Sequence, residues 1–213
     1  MALSLSSFIS QLTKIETPRG PSPAYSPAHV IELLLILDSE QTMGRITLSK
    51  RLGVGEGSVR TMIKKLVESQ MISVDAVGGC HLTDSGKLLV TDLRKVILAT
   101  ADVDLNEMGI ALPSKAIQLR GLSLVNSHFT RLRDIGVRNG AEGMVIFIFK
   151  NGNFMFPLMT DEVSDVAKNY PNITNCLKSI FSLNEGDVVF IAFSKELRLA
   201  EEAALSAAIS LIA

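Results

Sequence analysis

The 213-residue sequence predicts an α+β protein in two parts: a mainly helical N-terminal half with one β-hairpin, and a small C-terminal half with about four strands in a sheet and helices. Three observations carry this. Between Gly44 and Thr83 the chain reads as short helix, glycine turn, amphipathic helix and hairpin. From Lys115 onward, apolar strand-like runs alternate with helical segments. An acidic stretch, Asp102 to Pro113, separates the two characters and is expected to be the junction. Hydrophobic content of 47% with 20% charged residues gives each part enough material for a core. The expected divisions are an N-terminal arm and proline-rich linker over 1–27, a first domain over 28–100 and a second over 114–213.

Met1 to Lys14 has loosely helical apolar spacing through Leu3, Leu5, Phe8, Ile9 and Leu12. The following ETPRGPSPAYSPAH holds four prolines and reads as a linker, with Arg19 a weaker candidate for a minor-groove contact. Ala28 to Ser39 is apolar nearly all round and should be a buried first helix, with His29 at its start as a surface or capping residue. Gly44 to Ile46 is expected to add a short strand. Ile46 to Leu52 is the next helix, stopped by Gly53, because glycine enters the left-handed region without steric cost.

Gly57 to Gln70 places Val59, Met62, Ile63 and Leu66 on one helical face and Arg60, Thr61, Lys64 and Lys65 largely on the other. Met71 to Val74 and Cys80 to Thr83 read as strands around the Val77-Gly78-Gly79 turn. This order is that of a winged helix-turn-helix, whose second helix fits the major groove of duplex DNA while the hairpin lies on the neighbouring backbone. The DNA-binding candidates are therefore Ser58, Arg60, Thr61, Lys64 and Lys65, with Lys50 and Arg51 on the preceding helix. Arg60 is the expected base reader, because its planar fork can pair two acceptors on guanine, whereas lysines can only position.

Asp84 or Ser85 caps a helix running to about Ala99, with Leu88, Leu89, Leu93, Val96 and Ile97 as its stripe. In the second domain KAIQLR (115–120), VIFIF (145–149), NFMFP (153–157) and VVFIAF (188–193) read as strands, with Asn151-Gly152 as the strongest hairpin signal. Val125 to Arg138 reads as a helix with Phe129, Leu132, Ile135 and Val137 inward. Val163 to Tyr170 and Asn172 to Phe181 read as two helices around Pro171, and Lys195 to Ala213 as an alanine-rich one. The helices are expected on one side of the sheet. The polar cluster Arg120, Arg131, Arg133, Asp134, Arg138, Asn139 and Glu142 is a candidate ligand or partner site.

Net charge is only −1, but the segment from Gln41 to Lys95 is basic between acidic flanks, as in a regulator with a separate non-DNA domain. Cys80 and Cys176 lie far apart and form no disulfide framework, which fits a reducing cytoplasm. The opening MALSLSSFISQLTK lacks the pattern of an export leader and no apolar run reaches membrane-spanning length, so neither export nor a membrane partner is expected. Gly53-Val54-Gly55-Glu56-Gly57 follows a helix and lacks the lysine of a phosphate loop, so it reads as a turn. Cys80-His81 has no ligand partners at metal spacing, and no nucleophile, base and acid form a catalytic set. No cofactor, no metal and no enzyme are therefore expected.

The run from LLLILDSEQTMGRITLSKRLGVGEGSVRTMIKKLVESQMI through GGCHLTDSGKLL, with AIQLRG, RDIGVRNGAEG and EGDVVFIAF, resembles a family of conserved archaeal proteins. These carry an N-terminal winged helix and a C-terminal domain of unassigned function. The first half also looks like metal-dependent and MarR-type repressors, without the metal ligands of the former. The resemblance implies a transcription regulator. The partners expected are double-stranded DNA, a second copy in a homodimer and a small-molecule effector; the alternative is an RNA-associated or protein-interaction module.

Overall fold

The structure is a computed structural model and describes residues 4–13, 24–122, 126–157 and 164–212. Arg19 and most of the proline-rich stretch lie outside these residues. Contacts divide the chain into two compact units, one ending at Leu93 and one spanning Arg94–Leu211.

In the first unit the order is α1 (Leu5–Thr13), α2 (Pro27–Glu40), β1 (Met43–Gly44), α3 (Arg45–Leu52), α4 (Glu56–Glu68), β2 (Ile72–Val74) and β3 (Gly79–Leu82), followed by α5 (Asp84–Val96). The three strands form an antiparallel sheet in the order β1-β3-β2. This is the arrangement expected of the helix-turn-helix and hairpin. Helix α2 buries Val30, Ile31, Leu33, Leu34 and Leu37, as its all-round apolarity requires. His29 is buried rather than on the surface, and its Nδ1 accepts from the Ser26 amide at 3.0 Å, so its capping role stands.

The hairpin is locked to the start of α5 by Thr83, whose Oγ1 donates to the Gln70 carbonyl at 2.6 Å and accepts from the Gly86 amide at 3.1 Å. Gly86 has no alternative there, since a Cβ would collide with the carbonyl oxygen of Met71. Helix α5 stops at Val96, short of the expected Ala99. Leu88, placed on its apolar stripe by spacing, is 60% exposed, while Leu89, Val90 and Leu93 are buried.

The second unit contains β4 (Ile97–Leu105), a single 3-10 turn (Asn106–Met108), β5 (Ile110–Leu119), α6 (Asn126–Arg138), β6 (Gly143–Lys150) and β7 (Asn153–Phe156), then β8 (Ser164–Asp165), α7 (Val166–Asn169), α8 (Pro171–Ile180), β9 (Val188–Phe193) and α9 (Leu197–Ile209). The α+β class holds, with six strands in the order β4-β5-β9-β6-β7-β8, antiparallel throughout, in place of about four. The extra length has a clear source. Asp102 to Pro113, expected to be a junction, forms the outer ends of β4 and β5 and the turn between them, in a hairpin with register Ala101↔Ala116 and Asp102↔Lys115.

Helices cover both faces of this sheet, a correction to the one-sided expectation. Strand side chains alternate, so Ala116, Phe147, Val189 and Ile191 lie on one face with Ile173, Leu177 and Phe181 from the α8 region. The other face meets α6 and α9. The small residues Ala200, Ala203, Ala204, Ala207 and Ala208 let α9 approach the strands closely, and all are fully buried. Asn151 and Gly152 both have positive φ, 52° and 76°, as the two-residue hairpin turn between β6 and β7 demands. Val137, read as inward on α6, is 48% exposed.

Candidate nucleic-acid interface

The turn between α3 and α4 sets the angle at which α4 is presented. Gly53 adopts the left-handed conformation (φ 65°, ψ 24°), and Ser49 Oγ donates to the Val54 carbonyl at 2.6 Å, closing the turn. Gly55 then caps α4 with extended backbone. Val59, Met62 and Leu66 are buried at 2% exposure or less, and this anchors one face and forces the opposite face into solvent.

On that outward face Arg60, Thr61, Lys64 and Lys65 are exposed and Ser58 is half-buried. Their states differ. Lys64 lies 3.9 Å from Glu68, one turn on, and Lys65 Nζ sits 5.8 Å from the centroid of the Tyr25 ring. Thr61 Oγ1 donates to the Gly57 carbonyl at 3.0 Å. On α3, Arg51 pairs with Glu40 at 3.4 Å. Arg60 and Lys50 take part in none of the ion pairs among the described residues. Lys50 and Arg51 also occupy the last turn of α3, and Lys65 the last turn of α4, where each complements the negative end of the helix dipole.

The hairpin, expected to lie on the DNA backbone, carries few groups suited to phosphates. No lysine or arginine occurs between Lys65 and Lys87. The tip is neutral apart from Asp75, whose Oδ1 accepts from the amides of Val77 (3.0 Å) and Gly79 (2.7 Å). Those two amides are therefore already committed within the turn. Between α4, the start of α3 and the hairpin lies a groove of about 580 Å³, with Arg45 and Arg60 beside the apolar Ile46, Ile63, Val74 and Val77. Arg45 pairs with Glu56 at 3.6 Å.

In the second unit the structure separates the candidate residues by role. Arg120 is bound within the unit. Its Nε and Nη2 both donate to the Asp187 carboxylate at 2.7 Å, and Nη2 reaches the Ser182 carbonyl at 3.0 Å. Gln118 Nε2 and the Asn184 amide add donors to the same carboxylate at 2.7 and 2.9 Å. Burial by itself would raise the Asp187 carboxyl, but these bonds, led by Arg120, outweigh it and hold the group below the usual carboxylate range. The same bonding raises the Arg120 guanidinium further still.

Asn139 is likewise structural: its Nδ2 donates to the Ile135 carbonyl at 2.8 Å at the end of α6. Arg131, Arg133 and Arg138 remain exposed on α6, Asp134 is exposed with them, and Glu142 pairs with Lys195 at 3.6 Å. The partner that Arg120 finds, Asp187, lies 67 residues away, and no local pattern connects the two. Among the described residues no cluster of histidine, cysteine or carboxylate side chains could hold a metal, and no helix is long and apolar enough to cross a membrane.

Comparison with known proteins adds two findings for the chain itself. Residues 31–97 match the CggR N-terminal DNA binding domain, and residues 110–211 match a domain of unknown function, DUF4443. Among solved structures, the hypothetical protein PH0730 from Pyrococcus horikoshii OT3 is 26% identical with a TM-score of 0.71, covering 88% of this chain and 92% of that one. That relative is archaeal. No curated protein matches. The first match spans α2 to the beginning of β4, so the segment holding α3, the turn and α4 has the architecture of a DNA-binding domain.

Proposed function

We propose that the protein is a DNA-binding transcription regulator in which α4 enters the major groove and the second unit senses a small molecule or pairs two copies. The single observation that carries the reading is the exposed face of α4, with an ion-pair-free Arg60, inside a segment similar to a known DNA-binding domain. In this reading Arg60 contacts a base edge, Ser58 and Thr61 lie beside it, and Lys64, Lys65, Lys50 and Arg51 position the helix on phosphates. The architecture is that of a regulator rather than an enzyme. A two-fold arrangement of two copies would match a palindromic site and double the contact area.

The second unit supports the sensing or pairing role only through its independence: it has its own sheet and its own core. The test is a titration of the full chain into labelled duplex DNA at several salt concentrations, with structured RNA as competitor. The reading expects duplex binding whose affinity falls steeply with salt and which RNA displaces poorly. Preferential binding of the RNA would instead favour an RNA-associated module.

A further inference from the structure

The surface between α4 and the hairpin is apolar where a nucleic-acid interface is ordinarily charged. Of the exposed large hydrophobic side chains among the described residues, Ile46 (55%), Val67 (42%), Val74 (45%) and Val77 (95%) all fall on α3, α4 or the hairpin. Ile46, Ile63, Val74 and Val77 line the same groove, with the guanidinium groups of Arg45 and Arg60 beside them. Ile63 stands one turn from Arg60 on α4, so the base reader and the apolar wall share one flank of the helix.

The apolar wall of this groove gains nothing from phosphates, which are strongly hydrated, and the hairpin carries no lysine or arginine to offer them. The major groove presents one apolar feature of its own, the 5-methyl group of thymine. We propose that the groove between α4 and the hairpin reads thymine methyl groups beside the base contacted by Arg60, which makes Ile46, Ile63 and Val74 specificity-determining residues. The proposal rests on the DNA-binding reading above and adds what a hairpin without basic residues is for. It assigns a preference for thymine next to guanine, with the guanine read by the arginine fork and the thymine by hydrocarbon.

The test begins with selection of bound duplexes from a random pool by the full chain. Thymines in the selected sequence are then replaced by deoxyuridine, which removes the methyl group and leaves base pairing intact. Each thymine read by the groove should lose about four-fold in affinity, the equivalent of one buried methyl group. Ile63→Ala and the exposed-site variant Ile46→Ala should bind the thymine and uracil duplexes equally, whereas Arg60→Ala should keep the thymine-to-uracil ratio and lose the preference for guanine. Equal affinity of the unaltered chain for both duplexes overturns the proposal while leaving DNA binding intact. Failure to retain any duplex overturns both. A change of oligomeric state in Ile46→Asp or Val77→Asp assigns the patch to contact between copies and also overturns it.

Discussion

Replacement of Arg60 by alanine separates a base-reading helix from a merely basic surface. The side chain is exposed and engaged in no ion pair among the described residues, so its removal should leave folding within about 0.5 kcal/mol of the parent. If its fork pairs two acceptors on guanine, the loss is about 1–3 kcal/mol of discrimination, or roughly five- to 150-fold at the contacted position. Lys64→Ala should behave differently. Its ammonium is already 3.9 Å from Glu68, and a phosphate contact carries no sequence information, so binding should weaken similarly on all duplexes and the salt slope should fall by about one. Fluorescence anisotropy over a salt series, on a selected duplex and a scrambled one, measures both quantities. If Arg60→Ala binds the two duplexes as the parent does, α4 is not the reading element. If instead it loses affinity equally on both, Arg60 is a phosphate contact and the base assignment fails.

Asp187→Ala should destabilise the second unit by about 3 kcal/mol in urea unfolding, because Gln118 and Arg120 would lose a buried, bidentate acceptor. The same carboxylate makes stability depend on pH. Its folded pKa lies below its unfolded one, so its contribution is fully present above the unfolded carboxylate range, near pH 4, and is lost as pH falls through the lower folded value; Asp187→Asn should flatten that acid limb. Gly86→Ala should cost about 1–3 kcal/mol or more in thermal unfolding of the first unit, since the added methyl meets the Met71 carbonyl, and an unchanged Tm would refute the close approach. Asn139→Ala should lose about 1 kcal/mol and no ligand affinity, because its amide serves its own helix end. A thiol reagent should modify exposed Cys176 in the native protein and buried Cys80, whose thiol burial pushes up, only after unfolding.

The residues around α4 were legible because local rules and tertiary outcome agree there. Gly53 terminates α3 by its backbone freedom, Val59, Met62 and Leu66 repeat at the helical period, and Asn151-Gly152 turns a hairpin, and each depends on neighbours within a few residues. Ile97 to Ala101 illustrates the opposite case. Those residues continue the apolar spacing of α5, and only the pairing of Ala99, Thr100 and Ala101 with β5 draws them into a strand.

What the sequence alone determined is therefore the order of elements in the DNA-binding-like unit, the strands β5, β6, β7 and β9, and the outward basic face of α4. Periodicity and turn chemistry are short-range properties and survive in a bare chain. Only the tertiary structure decided that Arg120 serves Asp187 across 67 residues, that the acidic stretch at 102–113 is the outer part of a β-hairpin, and that helices cover both faces of the sheet. Each of those is settled by which distant surfaces bury one another, and burial free energy depends on partners that no local pattern names.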